Sequence, residues 1–332
     1  MRGPRRGSNH MDRDQVANLF LPLFAELNAS DYLTQRRPLL AHYTSLEVLE
    51  SIVSTNEIWF SNPLCMNDLE EVRFGIIHGA NAAKQNEQLQ AALSTNSRRA
   101  LFNEEIDRLF QEFERDHVFD TYVFCFSEHD APNGDGMLSM WRGYGGNGKG
   151  VAIIFDTSKI HISSERKPLV VSRVEYGTSE HRIAWLANLC RKSASIIAFN
   201  EIADEHLGVA ANLIFERIKL FSLFSKHEGF KEEREWRVVY RREIDTDKAY
   251  DRFFGYALGR GGVEPKFKFK IEPIPGITAD DLSLERILFA ILLGPTSSSV
   301  LAQTSVRRMI ELKGRPEIAK RVFASTIPLR PA

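Results

Sequence analysis

Apolar residues along the chain follow two spacings, and together these predict both helices and strands. Between positions 12 and 28 they recur every three or four residues, which is typical of an amphipathic helix, although Pro22 should kink it. A similar stripe lies within a longer helical stretch at 82–117, and another helical stretch covers 178–226. Helices and strands are therefore expected to mix along the chain without a strict alternation.

Short apolar runs predict the strands. Phe119–Phe126 and Gly150–Asp156 are almost wholly apolar, which is typical of strands buried on both faces. Residues 266–270 alternate lysine with phenylalanine, so that strand should have one face in water. The pattern as a whole favours the α+β class with a mixed β-sheet core. Further short strands are predicted at 39–43, 58–60, 234–240, 286–293 and 323–327.

Capping and turn residues indicate where several elements begin and end. Thr44 to Glu47 fits a capping box with Thr44 as the N-cap, so a helix should follow and stop near Asn56, which tolerates a left-handed turn. Asp68 should cap the next helix. The glycine-rich stretch 130–147 is predicted to be a loop. A last helix is predicted at 297–313.

Composition limits the domain organisation and the function class. The chain has 332 residues, 43% of them hydrophobic and 26% charged, as expected for a globular protein. Its formal net charge of −1 provides no overall attraction to nucleic acid. We expect residues 1–10 to be an expression tag or disordered segment and residues 11–37 an N-terminal helix. Residues 38–329 should form one α+β domain of catalytic type with a helical insert near 178–226.

The cysteines and the hydropathy pattern predict a cytoplasmic protein. Cys65, Cys125 and Cys190 lie far apart and form no paired spacing, which argues against a disulfide framework and a cysteine-based zinc site. No apolar run approaches the ~18 residues of a membrane span, and no secretory pattern follows the first methionine. The common metal-binding motifs are also absent from the sequence. We expect neither a metal cofactor nor a membrane partner.

Candidate chemistry begins with polar and aromatic side chains next to predicted strands. His42 closes the first strand with Tyr43 and Thr44 beside it, and Ser127 follows the central strand. Residues 143–149 match the first seven positions of a phosphate-binding P-loop. However, position 150 is Gly where Ser or Thr is required, and a strand follows instead of a helix. We therefore interpret this segment as a tight connection or a flexible site loop.

The acidic run near residue 235 is the strongest candidate for catalysis. If a strand runs through residues 233–237, alternation places Glu233, Glu235 and Arg237 on one face. Such a group is either a salt-bridged edge or a site. A carboxylate held by arginine stays ionised, which suits the stabilisation of a developing positive charge.

The order of these motifs resembles an uncharacterised bacterial family, catalogued as domain of unknown function 2971. The resemblance covers residues 40–295. It rests on HYTSLEVLESIVSTNEIWFSNP with MND, then FCFS…MW…Y…KGVAIIFD, and then EREWRV. The family name implies no chemistry.

The opening His-x-Thr, helix and strand unit is similar to the start of ADP-ribosyltransferase domains. This second resemblance implies a split sheet, NAD as co-substrate and a macromolecular acceptor, either protein or nucleic acid. It also implies a toxin or antiphage defence effector, with a possible antitoxin or defence-system partner. The implied catalytic residues are Glu235, Glu233 and His42. The implied NAD-binding residues are His42, Tyr43, Thr44, Ser127, Trp141, Arg142, Tyr144 and Arg237, with Tyr144 stacked on nicotinamide.

Three alternatives stay open from the sequence. With water as the acceptor, the same pocket would make the protein an NAD glycohydrolase. Glu233 and Glu235 could instead serve a metal-dependent nuclease, or the chain could be a non-enzymatic module that senses a nucleotide or a partner in a defence system. The hypothesis of an NAD-dependent enzyme makes a geometric prediction. If it is right, the side chains of His42, Tyr144 and Glu235 should converge on one cleft.

Overall fold

Helices and strands mix along the chain without a strict alternation, as the sequence pattern predicts. The computed structural model describes residues 11–27, 36–66, 69–130, 134–160, 168–259 and 262–329. Their helices are α1 (Arg13–Phe20), α2 (Leu46–Thr55), α3 (Leu69–Gln85), α4 (Glu87–Ala92), α5 (Asn96–Glu112), α6 (Leu138–Gly143), α7 (Ser179–Phe199), α8 (Leu207–Leu223), α9 (Leu284–Ile287), α10 (Val300–Leu312) and α11 (Pro316–Ala319). Their strands are β1 (Leu39–Thr44), β2 (Glu57–Ser61), β3 (Thr121–His129), β4 (Val151–Asp156), β5 (Leu169–Arg173), β6 (Glu175–Gly177), β7 (Ser225–His227), β8 (Glu235–Arg241), β9 (Phe254–Gly259), β10 (Gly262–Lys270), β11 (Leu288–Leu293) and β12 (Val322–Ala324).

One compact unit is mainly helical and contains the described residues of 1–28, 67–119 and 175–228. Within it α3 packs closely against α8, because α3 has glycine where the two helices meet. A Cβ atom on Gly75 would lie 2.3 Å from Ser222 Oγ, and one on Gly79 would lie 2.3 Å from Ile218 Cγ2. The predicted insert at 178–226 corresponds to α7, α8 and the start of β7, and these belong to the same unit as α1 and α3–α5.

The second unit contains the described residues of 29–66, 120–174 and 229–332, and it is built on a ten-stranded sheet. The strand order β12-β11-β4-β1-β3-β2-β10-β9 branches at β3, where β8 and then β5 are added. Only β11 and β12 pair in parallel in this sheet; the other pairs are antiparallel. The prediction of an α+β fold with a mixed sheet is confirmed.

The branch at β3 opens a split in the sheet. One edge of β3 pairs with β8 from Thr121 to Ser127. The other edge is shared, because β2 pairs with it at Val123 and β1 pairs with it only from Ser127 onward. The carbonyl of Cys125 lies between these two partners. The His42 ring fills this position, with Nδ1 2.9 Å from Cys125 O.

The two faces of this sheet can be assigned from strand register. Side chains directly opposite each other in antiparallel strands point to the same face, and successive residues point to opposite faces. Ala41 lies opposite Ser127, and Ser127 lies opposite Glu235. We call the side shared by Ala41, Tyr43, Ser127 and Glu235 the Tyr43 face, and the side of Leu40, His42, Phe126 and Trp236 the His42 face.

Different elements cover the two faces. On the His42 face, α2, α10 and α11 bury a core with β4 and β11 that includes Leu49, Ile153 and Ile310. On the Tyr43 face, α6 packs Met140 and Trp141 against Tyr43 and the neighbouring strands. The face of a residue therefore decides which helix it meets.

Several predicted elements are confirmed, and others need correction. The strands predicted at 39–43 and 58–60 and the left-handed Asn56 (φ 58°) are present. The helix predicted over 82–117 is interrupted, because Asn86 and Thr95 each cap a new helix with the side chain. The loop predicted at 130–147 contains α6. Strands β5, β6, β7 and β9 were not predicted. The predicted tag at 1–10 and the predicted cap Asp68 lie outside the described residues.

The N-cap of α2 is Ser45, and the prediction of Thr44 as the cap is wrong. The Ser45 hydroxyl accepts a hydrogen bond from Val48 N at 3.3 Å, three residues into the helix. Thr44 is still the last residue of β1 and pairs with Val151. The strand thus runs one residue further than predicted, and the helix begins correspondingly later.

Candidate functional site

Glu233 leaves the strand that the sequence predicts for it. Strand β8 begins at Glu235, and residues Glu228–Glu233 form a 3-10 turn. Between them Arg234 has a left-handed backbone (φ 46°), which interrupts the extended chain at that point. Its guanidinium bonds Asp130 and Glu128, and these ion pairs hold it in place. The prediction that one strand runs through both Glu233 and Glu235 is therefore wrong.

Glu233 is held by two hydroxyl groups, and we call Ser127, Tyr144 and Glu233 the Glu233 cluster. Ser127 Oγ donates to the backbone carbonyl of Glu233 at 2.5 Å. Tyr144 Oη donates to Glu233 Oε1 at 2.8 Å. Ser127 is fully buried, Glu233 is half-buried, and Tyr144 is 44% exposed. The cluster thus presents an oriented carboxylate beside an accessible aromatic ring.

Tyr144 owes its position to α6, which is anchored by two buried aromatic side chains. Trp141 is completely buried, and its Nε1 donates to Asp135 O at 2.9 Å. Its ring meets the edge of Tyr43, with centroids 4.9 Å apart, and Tyr43 Oη accepts from Met137 N at 2.9 Å. Tyr144 is the residue that ends α6, so these contacts fix its backbone.

The glycine-rich turn after α6 is a structural connection. Gly148 N donates to Trp141 O, and Gly150 N donates to Gly145 O at 2.9 Å. These N–H groups are used within the turn, whereas a P-loop directs such groups at phosphate. A Cβ atom on Gly150 would lie 2.2 Å from Thr44 O, so glycine is needed where β4 meets β1.

Glu235 and Arg237 form a buried ion pair, which we call the Glu235 clamp. Arg237 Nε lies 2.8 Å from Glu235 Oε1, and Nη2 lies 3.0 Å from Oε2. The exposed fractions are 5% for Glu235 and 1% for Arg237. Two parallel bonds to one carboxylate give a rigid arrangement. Both carboxylate oxygens bind arginine in a closed environment, so the geometry favours a structural role over contact with a ligand.

His42 lies on the opposite face from the Glu233 cluster and the Glu235 clamp. It follows Ala41, which shares its face with Ser127, so its side chain points to the other side. The ring is stacked on Phe124 with centroids 4.4 Å apart. Burial lowers the pKa of His42 below its ordinary 6.5, which favours the neutral ring beside the Cys125 carbonyl. The predicted convergence of His42, Tyr144 and Glu235 on one cleft is wrong.

Burial also separates the other predicted NAD-binding residues into two groups. Four of them have exposed fractions of 6% or less, so their side chains are buried within the fold: Tyr43, Ser127, Trp141 and Arg237. Arg142 and Tyr144 are exposed on α6, and Thr44 is half-buried at the end of β1. The implied contact of Trp141 with NAD does not fit its position in the core.

Arg234, Asp130 and Glu128 are the residues that sequence reasoning missed. They fix the turn that presents Glu233, and Glu128 also accepts from Trp236 Nε1 at 3.3 Å. The left-handed conformation of Arg234 could not be predicted from its residue type, because this conformation is expected mainly at glycine or asparagine. The only available signal was the density of charge over residues 231–237.

Within the described part of the chain, histidine, cysteine, aspartate and glutamate side chains form no group of three or more that could hold a metal ion. None of the helices in the described ranges combines the length and hydropathy needed to cross a bilayer.

Residues 140–238 match the model of a family described as a protein of unknown function, DUF2971. The match covers the segment from α6 to the middle of β8, which contains Tyr144, Glu233 and the Glu235 clamp. It confirms the resemblance to this family that the sequence predicts. No curated protein and no protein of solved structure shows significant similarity to the chain.

Proposed function

We propose that this protein is an NAD-dependent ADP-ribosyltransferase that modifies a macromolecule, with its site at the Glu233 cluster. The observation that carries the proposal is the Tyr144–Glu233 pair. An exposed aromatic ring suits the flat nicotinamide group, and a carboxylate next to it suits the positive charge that forms on the ribose. Glu233 replaces Glu235 as the proposed catalytic residue, because Glu235 is buried in its clamp.

In the proposed reaction, the bond between the ribose C1′ and the nicotinamide nitrogen breaks. The electron pair leaves with nicotinamide, and the ribose becomes positively charged in the manner of an oxocarbenium ion. Glu233 stabilises this charge, and its bond from Tyr144 keeps the carboxylate oriented before the reaction begins. A nucleophile of the acceptor then bonds to C1′, and its proton passes to solvent water.

Arg142 is the proposed contact for the pyrophosphate of NAD. It lies two residues before Tyr144 on α6 and is exposed. No hydrogen bond or ion pair joins its guanidinium to another described residue, whereas Arg237 is engaged by Glu235. Arginine matches phosphate oxygens well, because its donors form a planar fork. Ser127 has a supporting role, since it binds the Glu233 carbonyl from a buried position.

Two further observations support the proposal at a coarser level. The sheet splits at β3, in keeping with the split sheet implied by the resemblance to ADP-ribosyltransferase domains. Cys65, Cys125 and Cys190 are free thiols, as expected in a reducing compartment such as the cytoplasm. The proposal includes a role as a toxin or antiphage defence effector, with an antitoxin or defence-system protein as its partner.

The experiment is to incubate the purified protein with NAD and cell lysate, with and without a chelator. Free nicotinamide and transfer of label from NAD to macromolecules are both measured. We expect both signals in both conditions. Nicotinamide release without label transfer would instead indicate an NAD glycohydrolase. Nucleic-acid cleavage that stops on chelation would indicate a nuclease, and silence throughout would favour a sensing module; each of these results would contradict the proposal.

A further inference from the structure

The His42 face of the sheet contains an apolar cavity of about 210 Å³. Nine of its lining residues come from strands: Leu40, Ile58, Phe60, Phe126, Phe155, Leu169, Val171, Val238 and Phe269. The segment 277–282 closes another side. The cavity lies on the opposite face from Ser127 and Glu235, and the inference drawn from it does not depend on the proposed function.

Strands β3 and β8 lie centrally in the sheet. The apolar side chains of such strands are normally buried from solvent. Phe124 and Tyr240 follow this rule, with exposed fractions of 4% and 0%. Phe126 and Val238 lie on the same strands and the same face but are only partly buried. The difference arises because two separate apolar cores flank this part of the face and leave a gap between them.

A gap of this size is unusual for a folded chain. Protein interiors are close-packed, with few voids larger than a water molecule. An apolar cavity of about 150 Å³ is known to stay dry and to bind benzene. The cavity here is larger and rich in aromatic side chains, so it suits a bicyclic aromatic body or a medium-length alkyl chain.

Few polar groups line the cavity, and most of them are already used. The Thr157 hydroxyl donates to Pro38 O at 2.7 Å, and the Thr278 hydroxyl donates to Glu272 O at 2.7 Å. Asp281 pairs with Arg286 at 3.0 Å. Lys159 differs from these groups: it is exposed, and no hydrogen bond or ion pair joins its ammonium to another described residue. It therefore provides a positive charge where the cavity meets solvent.

We propose that this cavity binds a small monocarboxylate with an apolar body, with the carboxylate at Lys159. The apolar body would fill the space between Phe126, Val238 and the segment 277–282. Burial of its surface provides most of the affinity, because the lining is apolar. The ion pair at the exposed lysine adds specificity and a smaller amount of affinity.

The test is calorimetric titration of the full chain with 2-naphthoate and, separately, with its neutral amide. We expect saturable one-to-one binding of both, with the carboxylate bound more tightly. Ala279→Phe places a ring in the cavity and should lower the affinity for both ligands by about tenfold or more. Val171→Phe fills the same space from the strand side and serves if the first variant fails to fold, as judged by its melting temperature.

The charge is tested separately. Lys159→Gln should lower the affinity for 2-naphthoate by about threefold to fivefold and leave the affinity for the amide unchanged. Lys149→Gln is the matched control, since Lys149 is exposed but does not line the cavity. Absence of saturable binding to the wild-type chain would overturn the proposal, as would an unchanged, wild-type affinity in both filled variants. An equal loss of carboxylate affinity in the two lysine variants would overturn the role of Lys159.

Discussion

The two faces of the sheet differ sharply around β3 and β8. On the Tyr43 face, Ser127 holds a half-buried glutamate, and the Glu235 clamp lies beside it. On the His42 face, the neighbouring residues Phe126 and Val238 line an apolar cavity. Residues adjacent in sequence thus have opposite chemistry, because each step along a strand changes the face. Proximity to a strand end does not show which side chains share a site.

The comparison also distinguishes two carboxylates that are two residues apart. Glu233 lies in a turn, is partly exposed to solvent and accepts a hydrogen bond from a hydroxyl group. Glu235 lies in β8 and gives both oxygens to Arg237 in a closed environment. The first arrangement leaves part of the carboxylate exposed to solvent. The second uses the charge to hold the fold together.

The largest effect on stability should come from Glu235→Gln. Removing one partner of a buried ion pair typically costs about 3–5 kcal/mol, because Arg237 then loses the opposite charge of Glu235. We expect a loss of this size in the free energy of unfolding, measured with urea. The double variant Glu235→Leu with Arg237→Met should recover much of the loss, because it leaves no buried charge. A Glu235→Gln protein as stable as wild type would show that the clamp is not structural.

A smaller effect is expected for Tyr144→Phe, which keeps the ring and removes the bond to Glu233. A hydrogen bond to a charged group is worth about 1.5 kcal/mol or more, so nicotinamide release should fall about tenfold. The matched control is Tyr256→Phe, at an exposed tyrosine on β9. Equal rates in the two variants would mean that Tyr144 does not orient the carboxylate.

The smallest effect concerns pH and the split in the sheet. The folded-state pKa of His42 lies below its unfolded value of 6.5, so the unfolded chain takes up the proton first. The stability contribution is therefore fully present above pH 6.5 and is lost as the pH falls towards the folded pKa, by at most about 1.4 kcal/mol per pH unit. Burial also lowers the pKa of His129, which acts in the same direction.

Comparison with His42→Gln isolates the histidine at the split. Glutamine keeps a donor for the Cys125 carbonyl but does not titrate, so its free energy of unfolding should fall less steeply between pH 7 and pH 5. His129 is present in both proteins, so its contribution to the pH dependence cancels in the comparison. Identical pH profiles would show that protonation of His42 is not coupled to folding.

Much of the fold could be predicted because it depends on local patterns. The apolar runs at Gly150–Asp156 and Arg286–Leu293 contain β4 and β11, and the Asn56 turn follows from a preference of that residue. The break in the 82–117 helix was less visible, since Asn86 and Thr95 resemble ordinary surface residues of a helix. Their capping bonds compete with the continuing helix and stop it.

The site was harder to predict, because it depends on contacts between distant segments. Tyr144 and Glu233 were both candidates, and their hydrogen bond links residues 89 positions apart. The left-handed Arg234 removes Glu233 from the strand, and ion pairs with Glu128 and Asp130 hold it there. No local pattern encodes that arrangement. The position of His42 depends equally on the split at β3, which only the complete sheet defines.

The central claim is that Glu233, and not Glu235, stabilises the reacting ribose. Glu233→Gln keeps an acceptor for Tyr144 and removes only the charge. We predict that this variant releases nicotinamide from NAD about a hundredfold more slowly than wild type, with a loss of about 1 kcal/mol in unfolding free energy, because the acceptor of the Tyr144 bond is no longer charged. Glu232→Gln, at the exposed neighbouring residue, should match the wild-type rate. A Glu233→Gln rate within twofold of wild type, or a wild-type protein that releases no nicotinamide, would contradict the account.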